Sequence, residues 1–296
     1  MEPPEPPDPD DCCNSGCNPC ILDVYEQQLR KYNEQSQIKP NGTSCMSPVK
    51  FSVFKVSNIV QYTANTRLYT FDFVHFNRED KNPDKNYVVK YEAGQHFFIK
   101  AKNHEGEFSK AYTPLKPSDL GAEQFVVLIK LYRNGEMSNY FRKLKLNDCT
   151  LWRGPYGDFR LSYMYKNILF IAQGTGIAPF YSIIQNILNN EDCVSFLKLF
   201  FCCRSCDEIL LRDELYKFST FWNFTYEVFL SSLDNFNCKY NETVHKEKLS
   251  EKHLMEYLDK NTTEALQVLI CGSEEFSLKI KSDLLKIHSE LNVVVF

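Results

Sequence analysis

Four short segments contain residue types that could bind nucleotide-like ligands, and they occur in a fixed order along the 296-residue chain. They occupy residues 110–114, 135–138, 174–179 and 271–272, and the sequence ends on the aromatic Phe296. Small residues let a backbone approach a ligand, and a helix N-terminus offers free N–H groups and partial positive charge to a phosphate. The order and spacing predict a flavin in the first half of the chain and a nicotinamide nucleotide in the second.

The segment at 174–179 has the pattern of a phosphate-binding turn. Its Gly-Thr-Gly sequence follows the apolar run 168–171, which is typical of a buried strand, and precedes a helical pattern over 178–188. Pro179 falls near the first helical turn, where proline is tolerated. This position favours a pyrophosphate site over an ordinary tight turn, although the motif is shorter than the Gly-x-Gly-x-x-Gly fingerprint.

Two further positions in the second half are candidate contacts to the same nucleotide. Cys271 and Gly272 follow the apolar strand pattern 266–270, so we expect them at the same carboxyl edge of the sheet as Gly174. Cys271 is predicted to border the nicotinamide, with a buried strand-end thiol as the alternative. Asp234 is predicted to accept hydrogen bonds from the adenosine ribose and to favour NADH over NADPH, with a plain turn residue as the alternative.

The segment at 110–114 places a cation, an aromatic ring and a hydroxyl at the end of one predicted strand. A flavin requires such a set, and Lys110, Tyr112 and Thr113 would serve its phosphates, its ring or ribityl chain, and its N5 respectively. The alternative is a plain strand end with exposed polar residues.

The segment at 135–138 opens a helical pattern over 139–144. Its backbone N–H groups and the Ser138 hydroxyl are predicted to hold a diphosphate. Residues 152–157 are predicted to form a rigid turn beyond the last strand of the first half, either as a structural corner or as a flavin contact.

Two different periodicities divide the elements that position these segments. From about residue 51 to 160, strand-like runs such as 66–73, 95–100 and 125–132 are separated by polar turns, which favours an antiparallel barrel. From about residue 167, apolar strands alternate with amphipathic helices, which favours a parallel nucleotide-binding sheet. The predicted strands there are 168–171, 196–201, 226–230, 266–270 and 293–295, and the helices are 178–188, 207–218, 249–258 and 277–287.

The predicted fold class is therefore two domains, an antiparallel β-barrel followed by an α/β domain with a parallel sheet, behind an N-terminal tail. We expect the tail and linker at 1–48, the barrel at 49–162 and the α/β domain at 163–296.

The tail combines an acidic, proline-rich start with a cluster of thiols. Residues 1–11 have almost nothing apolar to bury and are predicted to be disordered. Four thiols follow, and then a short predicted helix over 21–25 and a polar linker over 26–48. The thiols suit a zinc or iron–sulfur site or a reduced recognition segment. No metal site is predicted, because adjacent cysteines cannot easily face one metal. The four thiols are Cys12, Cys13, Cys17 and Cys20.

Composition excludes several classes of function. A net charge of −4 gives no general indication of nucleic-acid binding. No apolar run reaches the length of about 18 residues that a membrane span needs. The N-terminus resembles neither a secretory signal nor a transit peptide, so we expect a reducing, cytoplasmic location.

Residues 49–296 resemble the ferredoxin–NADP reductase superfamily, in particular the NADH-cytochrome b5 reductases. The resemblance rests on the segments at 110–113, 135–138, 174–179 and 271–272 and on the terminal Phe296. The thiol segment at 12–20 is similar to a short oxidoreductase-like N-terminal motif. The resemblance implies an FAD-binding barrel followed by an NADH-binding α/β domain.

The resemblance also implies which residues bind the cofactors. On the barrel side these are Lys110, Ala111, Tyr112, Thr113, Ile129, Lys130, Tyr132, Gly135, Glu136, Met137 and Ser138. In the second half they are Gly174, Thr175, Gly176, Ala178, Pro179, Asp234, Cys271, Gly272 and Phe296. Within this set, Thr113, Lys130 and Cys271 are implied to be catalytic, because they orient the reacting rings.

The chain departs from the family pattern in three places. Lys110 replaces an arginine, which keeps the charge but loses the bidentate fork. Ala178 replaces a threonine and removes a hydroxyl near the flavin. Ser273 and Glu274 replace two prolines, which is expected to add negative charge and flexibility near the nicotinamide.

The predicted function is hydride transfer from NADH to FAD, followed by release of single electrons. By the resemblance, the acceptor is a haem protein such as cytochrome b5. The chain is expected to be a monomer that reaches a membrane only through partners. Two alternatives stay open: a flavin-binding adaptor with little turnover and a partner- or metal-binding tail, and an iron–sulfur electron carrier built on the tail thiols.

Overall fold

The structure, a computed structural model, describes Tyr25 and residues 42–75, 86–117, 120–162, 165–190, 192–232, 238–261 and 263–296. The predicted disorder of 1–11, the four tail thiols and Asp234 lie outside these residues. Of the predicted helix over 21–25, only Tyr25 is described, and it is helical.

The first half folds into strands and one helix. These are β1 (Thr43–Ser44), β2 (Ser52–Thr63), β3 (Thr66–Phe73), β4 (Tyr87–Val88), β5 (His96–Lys102), β6 (Glu107–Tyr112), β7 (Pro114–Leu115), β8 (Gln124–Lys130), α1 (Glu136–Lys143) and β9 (Cys149–Tyr156). Seven strands form one antiparallel sheet in the order β6-β5-β9-β2-β3-β8-β7. Its edge strands β6 and β7 are separated in sequence only by Thr113, so the sheet curls until its edges meet. The predicted antiparallel barrel is confirmed.

Alternating side chains fill the barrel with aromatic rings. Phe54 and Val56 in β2 are fully buried, two residues apart on one face. Phe71, Phe125 and Trp152 form a triangle of rings whose centroids are 5.0 to 5.2 Å apart. This cluster holds β3, β8 and β9 together and fixes the strands that lead to the predicted flavin residues.

The second half alternates strands and helices. These are β10 (Asn167–Gln173), a 3-10 turn (Gly174–Gly176), α2 (Ile177–Leu188), β11 (Phe196–Cys203), a 3-10 turn (Cys206–Glu208), α3 (Arg212–Phe218), β12 (Phe224–Leu230), β13 (Thr243–His245), α4 (Glu251–Lys260), a 3-10 turn (Thr263–Ala265), β14 (Leu266–Cys271), α5 (Glu274–Ile287) and β15 (Asn292–Val295). Their order is β13-β12-β11-β10-β14-β15, and every pair is parallel. The predicted α/β domain is confirmed.

The predicted helix over 207–218 is interrupted. A 3-10 turn ends at Glu208, Leu211 adopts a left-handed conformation with φ of 55°, and α3 begins only at Arg212. The three consecutive apolar residues Ile209, Leu210 and Leu211 are all buried. A regular helix turns successive residues to different faces, so it could not bury all three against one core.

Residues 152–156 differ from the predicted turn, because they belong to β9. Thr150, Trp152 and Gly154 are buried in alternation along this strand. Gly154 has φ of 156°, and a Cβ there would lie 2.6 Å from the Phe97 ring. Pro155 inside the strand concealed the pattern, since proline is normally confined to strand ends, edges and bulges.

The predicted linker over 26–48 joins the barrel from Thr43 onward. Thr43 and Ser44 pair with Tyr87 and Val88, and the next residue, Cys45, is buried in the barrel core.

The two halves share apolar and polar contacts. Leu115 and Leu128 of the barrel belong to the buried cluster that surrounds α2. The Tyr62 hydroxyl accepts a hydrogen bond from the backbone N–H of Leu211 at 3.0 Å. Among the residues described, no helix has the length and apolar character that crossing a membrane requires.

Candidate functional site

The Gly174–Gly176 turn lies at the point where the strand order of the parallel sheet reverses. The chain moves outward from β10 through β11 to β13, and then returns to place β14 on the other side of β10. Open α/β sheets bind ligands outside the carboxyl ends of the strands at such a point. Gly174 has φ of 53°, and a Cβ added there would meet no atom within 4 Å. The turn therefore presents open backbone where a ligand is expected.

Cys271 and Gly272 lie directly beside this turn, as the sequence predicted. Cys271 is in register with Ala172, and a Cβ on Gly176 would lie 2.3 Å from the Cys271 carbonyl oxygen. Only glycine fits at position 176 for this reason. Burial raises the pKa of the Cys271 thiol to about 12, so the thiol is neutral at physiological pH and is a poor nucleophile.

Two hydrogen bonds between side chain and backbone groups of Gln173 and Ser273 join the ends of β10 and β14. The Gln173 Oε1 atom accepts hydrogen bonds from the Ser273 hydroxyl at 2.9 Å and from the Ser273 backbone N–H at 3.2 Å. Ser273 also caps α5, because its Oγ accepts the N–H of Phe276 at 3.3 Å. The prediction that residues 273–274 are flexible is therefore wrong. The helix predicted over 277–287 begins earlier, at Glu274, and Ser273 caps it.

On the barrel side, β6 carries three of the predicted residues. The Tyr112 ring contacts Phe141 with centroids 5.4 Å apart, and burial raises the pKa of its hydroxyl, which stays neutral. Lys110 and Ala111 are exposed. Lys110 forms no ion pair with a carboxylate in the described parts of the chain, so its charge is available to an anionic ligand.

The N-terminus of α1 has the arrangement expected of a phosphate site. Gly135 is its extended N-cap residue, and the N–H groups of the first turn have no acceptor within the helix. The Ser138 Oγ atom accepts the backbone N–H of Tyr132 at 3.0 Å, and its own proton is left to donate. Met137 is buried in the barrel core, whereas Glu136 and Tyr132 are exposed.

Lys130 and Thr113 belong to or adjoin the barrel strands that contact the second half. The end of β8 contacts the Gly174–Gly176 turn, and β7, which directly follows Thr113, contacts α2. The Lys130 Nζ atom lies 3.0 Å from the Glu208 Oε2 atom of the second half. Lys130 therefore lies at the boundary between the two halves, and the strand that follows Thr113 packs against the second half.

Five other predicted residues have different surroundings. Ile129 is 1% exposed in the barrel core, so only its backbone can face a ligand. Thr175 is half-buried in its turn, and Ala178 and Pro179 are buried in α2. Phe296 donates its N–H to Ile270 at 2.9 Å, and its ring packs between the two halves. The ring centroid lies 4.9 Å from that of Phe159 and 5.4 Å from that of Phe180.

The donor groups around the cleft fit the two cofactors that the family resemblance implies. The exposed Lys110, the open helix end at Gly135 and the open backbone at Gly174 offer three anion-binding groups, as two diphosphate-containing ligands require. A cavity of about 550 Å³ lies elsewhere in the α/β domain, and its lining includes Asn167 at the start of β10 and Phe196 at the start of β11.

Sequence reasoning missed three residues of the site: Gln173, Ser273 as a cap, and Glu208. A serine followed by two glutamates and an apolar residue is an N-cap pattern, so the role of Ser273 was readable from the sequence. Gln173 directly precedes the glycine turn and offered no comparable pattern. Glu208 meets Lys130 across 78 residues of sequence, and no local pattern predicts such a contact.

Comparison with known families assigns both halves and the tail. The family described as an oxidoreductase FAD-binding domain matches residues 54–161, and the oxidoreductase NAD-binding domain matches 170–281. A family described as oxidoreductase-like protein, N-terminal, matches residues 1–41.

Whole-chain relatives and solved structures agree with this assignment. The human protein NADH-cytochrome b5 reductase-like is 30% identical, over 95% of this chain and 90% of its own length. The cytochrome b5 reductase domain of Ulva prolifera nitrate reductase shares the fold with a TM-score of 0.69 at 19% identity, over 86% of this chain and 100% of that domain. A Neisseria gonorrhoeae ferredoxin NADP+ reductase, solved with FAD and NADP, gives 0.65 at 18% identity, over 83% and 98%. The chain therefore belongs to the NADH-cytochrome b5 reductase-like family of oxidoreductases with FAD- and NAD-binding domains.

Proposed function

We propose that the chain is an NADH-dependent flavoprotein reductase that passes single electrons to a haem protein such as cytochrome b5. The observation that carries this proposal is the contact between the domains at the Gly174–Gly176 turn, where β8, which ends at Lys130, touches the turn and Cys271 lies beside it. Bound FAD supplies the redox chemistry, because a flavin accepts a hydride and gives up electrons singly. The protein binds the two cofactors and holds their rings in reacting distance.

The barrel residues are proposed to bind the FAD. The exposed Lys110 ammonium serves as a point charge for phosphate, without the bidentate geometry of arginine. The first turn of α1, from Gly135 to Ser138, donates backbone and hydroxyl hydrogen bonds to the diphosphate. The neutral Tyr112 ring supports the ligand from the barrel wall, and Thr113 offers a hydroxyl at the seam of the sheet.

The carboxyl ends of β10 and β14 are proposed to bind the nicotinamide nucleotide. Gly174 and Gly176 leave the backbone open to the pyrophosphate, while Gln173 and Ser273 hold the two strand ends together. Cys271 borders the nicotinamide as a neutral thiol and orients it by contact, without forming a bond to it. The remaining proposed contacts are Ala111, Ile129, Tyr132, Glu136, Met137, Thr175, Ala178, Pro179, Gly272 and Phe296.

Lys130 is proposed to orient the reacting rings. Its ammonium is held at 3.0 Å by Glu208, which reaches it from the opposite domain. The two rings are proposed to meet at the domain boundary, so an ammonium fixed there supports this role. Orientation of this kind accounts for much of the rate that an enzyme adds to a reaction between two bound ligands.

Asp234 is proposed to select NADH over NADPH through the adenosine ribose and through repulsion of a 2′-phosphate. We expect Asp234→Ala to raise kcat/KM for NADPH relative to NADH by about tenfold, since a like-charge contact is removed. Asp207→Ala, at an exposed carboxylate of the same domain, is the matched control. An unchanged NADH/NADPH ratio in Asp234→Ala would remove Asp234 from the site.

The two domains are proposed to divide the work at residues 49–162 for FAD and 163–296 for NADH, behind a tail at 1–48. We propose a monomer located in the cytoplasm that meets its electron acceptor there or at a membrane surface. All eight cysteines of the described residues are free, which supports a reducing compartment.

Steady-state reduction of ferricyanide and of cytochrome b5 by the FAD-loaded protein tests the proposal. We expect NADH-dependent turnover with both acceptors, and little with NADPH. A protein that binds FAD and NADH but turns over neither acceptor would instead be a flavin-binding adaptor.

A further inference from the structure

Two histidines and a glutamate lie together at the edge strand β13 of the α/β domain, three strands away from β10 in the sheet. His245 ends the edge strand β13, His253 lies in the first turn of α4, and Glu247 lies in the connection between them. One ligand atom from each of the three side chains lies within 4.8 Å of the other two. The proposed reductase chemistry uses none of these residues.

The two imidazole rings already have the spacing that a shared metal imposes. Their centroids are 5.3 Å apart at an angle of 67°. Two imidazoles bound to one tetrahedral zinc ion at Zn–N distances of about 2.1 Å have centroids about 5 Å apart. The Phe229 ring stacks on His245 at 4.4 Å and meets the edge of His253 at 4.9 Å. This apolar contact fixes both rings before any ion binds.

Glu227 holds His245 in the orientation of a metal ligand. Its Oε2 atom lies 2.6 Å from the His245 Nε2 atom, and its Oε1 atom lies 2.7 Å from the Lys198 Nζ atom. A carboxylate on one ring nitrogen is the usual partner of a metal-bound histidine, and it leaves the other nitrogen for the ion. The charge of Lys198 is neutralised by the same carboxylate, so it does not oppose a cation nearby.

His253 is anchored in the same way by the start of α4. Its Nδ1 atom accepts the Ser250 backbone N–H at 3.2 Å and lies 2.8 Å from the Ser250 Oγ atom. Its Nε2 atom faces the Glu247 Oε1 atom at 3.3 Å. A metal on Nε2 would take the place of the proton there, and Nδ1–H would then donate to the serine hydroxyl in place of the hydrogen bond from the Ser250 backbone N–H.

We propose that His245 Nδ1, His253 Nε2 and the Glu247 carboxylate bind a divalent zinc ion, with water in the fourth position. Two imidazoles, one carboxylate and an open position form a recognised zinc ligand set. The ion would tie the edge strand β13 to α4 beside the 550 Å³ cavity that His245 and His253 line. This proposal departs from the expectation that the protein has no metal site, and it is independent of the proposed reductase function.

Zinc titration of the FAD-loaded full chain tests the proposal, because it compares the number of zinc ions bound by the wild type and by histidine variants. Chelator-treated wild type and its His253→Gln and His245→Gln variants are titrated with Zn²⁺ against a chromophoric chelator. We expect each variant to bind one equivalent less than wild type. His75→Gln is the matched control, because His75 pairs with Glu123 at 2.9 Å on the barrel and has no second histidine in its cluster. Equal stoichiometry in wild type and both variants would overturn the site, since any zinc would then belong to thiols.

A loop variant and a spectroscopic measurement cover the case in which a histidine variant fails to fold. Glu247→Gln changes a side chain that is 65% exposed, and we expect it to weaken zinc binding about tenfold or more without affecting the fold. In the wild type, histidine nitrogen NMR should show His253 change from its Nε2–H to its Nδ1–H tautomer as zinc is added. An unchanged affinity in Glu247→Gln, or an unchanged tautomer, would contradict the proposed ligands.

Discussion

Gly176 is the residue on which the close approach of two strand ends depends. Its Cα lies against the Cys271 carbonyl, and even a methyl group would lie 2.3 Å from that oxygen and 3.0 Å from the Gly272 nitrogen. The neighbouring Gly174 is different, because its requirement is a left-handed backbone and not a lack of space. The two glycines of one turn therefore serve two purposes, packing and conformation.

Gly176→Ala should impair the nicotinamide site and spare the flavin site. The added methyl must push β14 away from the turn, so we expect KM for NADH to rise about tenfold or more while FAD content stays unchanged. Steady-state kinetics with ferricyanide and the flavin-to-protein ratio measure the two effects. Gly121→Ala is the control, because its methyl would meet only the flexible Gln124 side chain. Wild-type KM in Gly176→Ala would show that the turn does not border the nucleotide.

The glycine turn could be predicted from the sequence, but the side chains that support it could not. An apolar run, a Gly-Thr-Gly turn and a helical pattern are all local, so the position of residues 174–176 followed from the chain itself. The hydrogen bonds between Gln173 and Ser273 join residues 100 apart, and they exist only because β10 and β14 are neighbours. Strand order is a property of the whole domain, and no motif encodes it.

At the scale of elements, β8 is one of the links between the two domains. Lys130 closes that strand, pairs with Thr66 across the barrel and meets Glu208 of the second half. Both side chains of the ion pair are about one-quarter exposed or less, so water screens their attraction only in part. The ion pair can hold the two domains together, fix the position of the Lys130 ammonium, or do both.

Paired variants separate these roles. Lys130→Met should slow the reduction of bound FAD by NADH about tenfold or more, since the orienting ammonium is lost. Glu208→Gln keeps that ammonium and breaks an ion pair worth about 1 kcal/mol, so we expect a loss of about fivefold at most. Stopped-flow absorbance gives both rates, and Lys100→Met, at the barrel pair with Glu107, is the control. Equal losses of rate in Lys130→Met and Glu208→Gln would show that Lys130 only holds the two domains together.

Element boundaries were predictable where the apolar pattern was regular and failed where a local rule was broken. The strands around 168–171, 226–230 and 266–270 were predicted because short, mainly apolar runs are typical of parallel sheets. The end of β9 was predicted as a turn because Pro155 lies within the strand. The predicted start of α3 was too early, because Ile209, Leu210 and Leu211 are all buried outside the helix. In each failure the tertiary core, and not local propensity, decided the structure.

At the scale of the whole molecule, one buried carboxylate connects three segments of the α/β domain. Glu242 forms an ion pair with Arg212 of α3, accepts the Tyr226 hydroxyl of β12 at 2.8 Å and accepts the Lys239 backbone N–H at 3.0 Å. Burial alone would raise the pKa of Glu242, but these hydrogen bonds outweigh it and lower the pKa below the ordinary value. The same carboxylate raises the pKa of Arg212, which stays charged.

Glu242 should make stability depend on pH in the acidic range. Because its pKa is lower in the folded state, its contribution is complete above about pH 4.3, the ordinary glutamate value, and is lost as pH falls through the folded pKa. We expect Glu242→Gln to lower the free energy of unfolding at neutral pH by about 1–3 kcal/mol and to flatten its decline in acid. Urea unfolding over a pH series measures both quantities. Parallel pH profiles for wild type and variant would contradict this assignment.

The central claim is that one cleft holds both cofactors, so that NADH reduces a flavin bound to the same chain. Anaerobic titration of the FAD-loaded protein with NADH, followed by its visible absorbance, tests this most directly. We predict a yellow protein whose flavin absorbance is bleached stoichiometrically by NADH and far less readily by NADPH, and returns when cytochrome b5 is added. A protein that retains no flavin after loading, or whose bound flavin NADH does not bleach, would contradict the account.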